Sequence, residues 1–197
     1  FMGNLDAAGI DPGTIDLVAI SHFHPDHVNG LLAADDTPAF PNAEITVPVL
    51  EWNFWMDDDE MHAARGHTAD LFQNNRRVFD ALGRKVTCFT WGQEIAPGVT
   101  AVDTSGHTAG HTSFMVSSGS ERVFVQGDLN NQSVVFSKYP EWHSKYDADP
   151  AKGGAARRRI YEMLLAEKIP VQAYHHPFPG LGRVERDGTS FRVVPIS

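Results

Sequence analysis

Ser21-His22-Phe23-His24-Pro25-Asp26-His27 decides the reading of this chain, because three histidines and an aspartate fall within six residues. The preceding run, Ile15-Asp16-Leu17-Val18-Ala19-Ile20, reads as a short buried strand entered from the turn Asp11-Pro12-Gly13. Val28-Asn29-Gly30-Leu31-Leu32-Ala33-Ala34 reads as a short helix, so the histidines occupy a strand-to-helix loop, where a scaffold usually presents chemistry. Alternate side chains of an extended segment share a face, so His22 and His24 can grip one cation. Asp26 and His27 fall where the chain turns into the helix and could serve a second. A lone histidine is more often a core or surface residue. Four donors this close would crowd imidazoles against a carboxylate without benefit to packing unless they held a metal. Neutral imidazole suits Zn, Fe, Mn or Co better than Mg or Ca.

Three more segments deliver His or Asp to the end of an apolar strand. They are Ser105-Gly106-His107-Thr108-Ala109-Gly110-His111, Gln126-Gly127-Asp128-Leu129, and Tyr174-His175-His176-Pro177-Phe178-Pro179-Gly180. Strands are expected at 43–47, 86–89, 99–102 and 171–174, with 191–194 closing the chain. A hairpin is expected from 114–116 and 122–125 around Ser118-Gly119-Ser120. Thr68 is expected to cap a helix stopped by Gly83, and Asp149-Pro150 to open a longer one. Strands and helices alternate, giving an α/β or layered α+β fold over 1–197 as a single domain.

Composition narrows the partners. The 197 residues carry a formal net charge of -9, with 42% hydrophobic and 21% charged residues, an ordinary globular balance. That charge argues against nucleic acid, which needs clustered Lys and Arg. The basic run Arg157-Arg158-Arg159 reads as the solvated face of a helix. Cys88 is the single cysteine, so no intrachain disulfide forms. No apolar run approaches the ~18 residues of a membrane span, so no membrane partner is expected and the chain reads as soluble. Its compartment is open: cytoplasmic, or periplasmic or secreted if a signal peptide has been lost. Phe1 precedes Met2, and residues 1–8 read as the end of a helix. A natural beginning upstream is therefore expected, or a homodimer partner that covers the strand at 17–20.

Leu50-Glu51-Trp52-Asn53-Phe54-Trp55-Met56 packs three aromatics into four positions and runs into Asp57-Asp58-Asp59-Glu60. Two readings are open for the aromatics: core packing, or an apolar wall beside the metals. The second leads to the expectation that Trp55, with Trp52 and Phe54, lines a substrate pocket. The acidic run reads as surface.

The run from His22 to His27 resembles the HxHxDH signature of the metallo-β-lactamase superfamily. Gly106-His107-Thr108-Ala109-Gly110-His111 resembles its GHTxGH motif, and Gly127-Asp128 its bridging aspartate. Within that superfamily, Ala7-Ala8-Gly9, Ala39-Phe40-Pro41-Asn42-Ala43, Phe54-Trp55 and His175-His176-Pro177-Phe178-Pro179-Gly180-Leu181-Gly182 are similar to the methyl parathion hydrolase and lactonase branch. The resemblance implies a four-layer αββα sandwich. Relatives begin with several strands and an Asp-Thr-Gly-like loop that have no counterpart here, so the N-terminal part of the fold is expected to be missing. It implies His22, His24 and His107 as ligands of one metal, Asp26, His27 and His175 as ligands of the other, and Asp128 as the bridge. His111 is implied to be supporting and His176 to rank below His175, while His62, His67 and His143 match no motif.

Two divalent ions, zinc first and Mn, Fe or Co as alternatives, would then share a water, lower its pKa to about 7 and supply hydroxide. Asp26 and Asp128 are the catalytic carboxylates of this reading. The expected substrate is a neutral small-molecule ester: a lactone, an aryl ester or an organophosphate triester. The acidic balance of the chain fits a neutral substrate. Two rivals stay open, an iron-dependent oxidoreductase on the same fold and a non-catalytic fragment.

Overall fold

The apolar run behind the histidine loop forms a strand, but a short one. In the computed structural model, which describes residues 1–83 and 86–196, that strand is β1, Leu17–Ala19. The chain divides into two compact units, Phe1–Phe89 and Thr90–Ser197.

The first unit opens with α1, Met2–Ala7, none of whose residues is buried. A single 3-10 turn at Pro12–Thr14 follows, capped by the Asp11 carboxylate accepting from Gly13 N at 2.8 Å. β1 pairs in parallel with β2, Glu44–Pro48, and β2 with β3, Val86–Phe89, in the order β1-β2-β3. Between β1 and β2 lie α2, Pro25–Val28, and a 3-10 turn at Asn29–Leu31. The helix starts three residues earlier than the sequence suggests, because Pro25 takes its first position with His24 as an extended cap.

Between β2 and β3 come α3, Val49–Trp55, α4, Asp58–Ala63, and α5, His67–Leu82. Gly66, not Thr68, occupies the cap position of α5, and Gly83 ends it as expected. Asp57 caps α4, its carboxylate accepting from Asp59 N and Glu60 N, so the first residue of the acidic run also starts a helix. The core gathers Phe23, Ile45, Val47, Trp55, Phe72, Val78 and Phe79. Phe23 stacks on Phe79 at 4.4 Å, and Trp55 meets Phe72 at 4.7 Å.

The second unit is built on one seven-stranded sheet. Its strands are β4, Glu94–Ala96, β5, Val99–Asp103, β6, Thr112–Ser118, β7, Glu121–Val125, β8, Pro170–Gln172, β9, Leu181–Asp187, and β10, Ser190–Pro195. The order is β10-β9-β8-β7-β6-β5-β4. All pairings are antiparallel except β7 with β8. That parallel pair is joined across α6, Val135–Lys138, and α7, Pro150–Glu167, as a parallel connection requires.

α7 opens with Asp149 accepting from Lys152 N at 3.0 Å and Pro150 in its first turn. Its inner face carries Gly153, Ala156, Arg157, Ile160, Tyr161 and Leu164 at helical spacing. Arg157 corrects the reading of the basic run: its side chain is 2% exposed, whereas Arg158 and Arg159 are exposed. The helix period places 157 on the face of 153, 160 and 164 and turns its two neighbours outward.

Candidate metal centre

In the first unit, the extended backbone from His22 to His24 turns Phe23 into the core and leaves the flanking imidazoles together. His22 Nε2 lies 3.1 Å from His24 Nδ1. Two nitrogens on one tetrahedral zinc, each at about 2.1 Å, stand about 3.4 Å apart. Ser21 Oγ is 3.0 Å from the other nitrogen of His22. Pro25 then starts the helix and swings Asp26 and His27 round. The His27 ring lies 4.1 Å from that of His22, and His27 Nε2 is 3.5 Å from Asp26 Oδ2.

Glu51, which the sequence reading passed over, supports this loop from α3. Its side chain is buried, and Oε2 accepts from Phe23 N at 3.0 Å and from Trp55 Nε1 at 3.1 Å. One carboxylate thus ties the residue between two candidate ligands to the aromatic helix. The signal was present in the sequence: a single acid among Leu50, Trp52, Phe54 and Trp55, one helical turn before Trp55. Trp55 is buried with its indole N–H committed to Glu51, and Trp52 and Phe54 are half-buried against the same core. The structure gives these three aromatics a packing role.

In the second unit, Asp128 sits in a 3-10 turn, Gly127–Asn130, directly after β7. His107 Nε2 is 3.4 Å and His175 Nε2 3.2 Å from the same oxygen, Asp128 Oδ2. His107 and Asp128 are buried, and the His175 side chain is one-third exposed. The turn is pinned by a buried polar cluster. Gln126 Nε2 donates to Asn130 O, Tyr161 Oη to Gln126 Oε1, and Asn130 Nδ2 to Tyr161 Oη and Ser137 Oγ. The loop of His107 is pinned too. Ala148 N donates to His107 O and Asp149 N to Gly106 O, drawing it against the start of α7. The approach is close enough that a Cβ on Gly106, at φ +134°, would lie 2.2 Å from Gly153 N.

The remaining histidines separate by their partners. Asp128 N donates to His111 Nε2 at 3.0 Å, so that nitrogen is the acceptor and His111 carries its proton on Nδ1, beside Thr104 O at 3.1 Å. His111 is a buried supporting residue. His176 Nε2 lies 3.1 Å from Asn130 O, and burial pushes its pKa below the usual histidine value. His62, His67 and His143 are exposed.

Asp147 also escaped the sequence reading, and Arg157, expected on a solvated face, is its buried neighbour. Asp147 Oδ1 is 2.9 Å from His107 Nδ1, and Asp147 Oδ2 is 3.7 Å from the Arg157 guanidinium. Burial alone would raise the Asp147 carboxyl. The hydrogen bond with His107, with help from Ser144 N and Arg157, holds it below the ordinary carboxylate range. The Arg157 guanidinium donates to the carbonyls of Leu129, Pro140 and Trp142. Each unit thus gathers histidine and aspartate donors of the kind that could hold divalent metal ions.

The model of the metallo-β-lactamase superfamily matches residues 2–169, and the chain belongs to that superfamily. It is similar over 99% of its length to the hydrolase AbOPH of the β-lactamase superfamily, at 28% identity and a TM-score of 0.91, covering 69% of that chain. It is similar over the same share to AidC, a dizinc quorum-quenching lactonase solved with its product N-hexanoyl-L-homoserine. There the identity is 25%, the TM-score 0.90, and the share of that chain covered 69%. A probable metal-dependent hydrolase from Staphylococcus aureus shares the fold at 23% identity and a TM-score of 0.78, over 98% of this chain and 66% of that one. The mixed α and β content is that of the metallo-β-lactamase fold. Among the described residues no helix is long and apolar enough to cross a membrane.

Proposed function

We propose that this chain is a dinuclear metal-dependent hydrolase of neutral esters, with a lactone as the leading substrate class. The observation that carries the reading is the geometry around Asp128, where two imidazole Nε2 atoms face one carboxylate oxygen at 3.4 and 3.2 Å. In this reading His22, His24, Asp26, His27, His107, Asp128 and His175 would hold the metal ions. Zinc suits a set of imidazoles and carboxylates, as Mn, Fe or Co also can. Bound divalent ions would supply Lewis acidity and a water acidic enough to attack at neutral pH.

The chain's own residues supply placement and charge. Asp128, buried and held at its backbone by His111, keeps its carboxylate beside His107 and His175. Asp26, whose carboxylate is 46% exposed, is the acid of the histidine loop with access to solvent. Its role is to orient the attacking water. Water adds to the carbonyl carbon, the bond from that carbon to the leaving oxygen breaks, and the water's proton ends on the leaving oxygen. No serine or cysteine nucleophile is invoked, and Cys88 lies outside every motif.

The lactone is favoured by the similarity to AidC. Aryl esters and organophosphate triesters are the other neutral esters to assay. The test is a panel of an N-acyl homoserine lactone, an aryl acetate and a phosphotriester, run on purified protein with and without added Zn(II). Zinc-dependent lactone opening is expected, and a protein that hydrolyses none of the three in any of Zn, Mn, Fe or Co overturns the reading.

A further inference from the structure

We propose that Asp147 is a positioning residue for His107, dictating which nitrogen of that ring is presented to the metal. The inference rests on the reading of His107 as a ligand. Asp147 Oδ1 lies 2.9 Å from His107 Nδ1, with both side chains at most 4% exposed. A carboxylate can only accept, so Nδ1 carries the hydrogen and Nε2 the lone pair. Nε2 is the nitrogen that faces Asp128 Oδ2 at 3.4 Å. Ligating histidines commonly donate their second N–H to a carboxylate, which fixes ring orientation and raises ligand basicity.

Asp147 is itself held in place. Its Oδ2 accepts from Ser144 N at 3.1 Å, and Oδ1 from Ser144 Oγ at 3.3 Å. Arg157 stands 3.7 Å from Oδ2 and is anchored at 2.8 Å to Leu129 O and at 2.7 Å to both Pro140 O and Trp142 O. Leu129 directly follows Asp128, so one buried cation ties the residue orienting His107 to the turn that carries Asp128. The backbone bonds of Ala148 and Asp149 to the His107 loop would persist without the Asp147 side chain, but they hold its backbone and not its ring nitrogens.

The test compares the parent protein with Asp147→Ala and Asp147→Asn. The readouts are the Zn(II) dissociation constant, by competition with a chromophoric chelator, the visible spectrum of the Co(II)-loaded protein, and the Tm of the metal-free protein. Asp147→Ala is expected to weaken one Zn(II) site about 10- to 100-fold and to shift the Co(II) bands. Asp147→Asn still offers Oδ1 as an acceptor and is expected to fall between the two. If both variants keep the parent's Zn(II) constants and Co(II) spectrum while the metal-free Tm drops, Asp147 is a loop anchor and the proposal fails. Should Asp147→Ala not fold, Asp147→Asn decides on the same readouts. A parent protein that binds no Zn(II) overturns the ligand reading itself, an outcome distinct from parent and variants binding alike.

Discussion

The backbone N–H of Asp128 donates to Nε2 of His111 at 3.0 Å inside the second unit. The second histidine of the GHTAGH motif is therefore spent on holding the carboxylate that its first histidine faces. His111→Ala leaves a buried N–H unpaired, at a cost of about 1–3 kcal/mol, read as a fall of several degrees in Tm. Asp128→Asn should lower ester hydrolysis about 100-fold or more, because it removes the fixed charge at the reacting centre. An equal loss of activity in the two variants would show that His111 does more than hold Asp128.

Gly106→Ala should be far more disruptive than Gly119→Ala. Both sit at positive φ, but a Cβ at 106 meets backbone at 2.2 Å while one at 119 meets nothing within 4 Å. The substitution at 119 should cost about 1–2 kcal/mol, the strain of a left-handed residue. The substitution at 106 must in addition push the His107 loop off α7, so soluble yield and the urea midpoint should both fall well below those of the Gly119 variant.

Glu51→Ala removes the acceptor of Phe23 N and of Trp55 Nε1. A hydrogen bond to a charged group is worth about 1.5–3 kcal/mol, so a loss of at least that size is expected in chemical unfolding. Glu51→Gln keeps an acceptor oxygen and should recover a good part of it. Equal stability of the two variants would mean that the carboxylate does not hold the histidine loop.

Tyr161 gives a pH signature. Burial raises its phenol above the ordinary value of 10.0, and hydrogen bonds from its neighbours offset only part of that rise. A folded-state pKa above the unfolded one gives stability that is complete below about pH 10 and is lost as pH climbs toward the folded value. Tyr161→Phe should therefore be less stable than the parent at pH 7 and should show a shallower loss above pH 10. Parallel pH profiles of the two proteins would contradict the assignment.

The sequence pointed to the candidate donors more clearly than to their supports. His22 to His27, His107, Asp128 and His175 stood out because histidine and aspartate recur at the ends of apolar runs. β3 and the β6–β7 hairpin were legible because apolar runs ended at turn residues. β9 was not, since Arg183, Glu185, Arg186 and Asp187 hide a strand whose inward residues are Gly182 and Val184. β4 has only three residues and buries none of them. Glu51 and Asp147 escaped, and Arg157 was placed on a solvated face, for a common reason. A buried charge is defined by partners distant in sequence, 28 residues for Glu51 with Phe23 and 40 for Asp147 with His107, and no local period records them.

The most direct test of the account is the metal stoichiometry of the purified protein, measured with its lactone-opening rate before chelation, after chelation and after return of Zn(II). The account predicts two metal ions per chain, loss of activity as they are stripped, and recovery as Zn(II) is restored to two equivalents. Full activity in protein carrying one metal or none would contradict it.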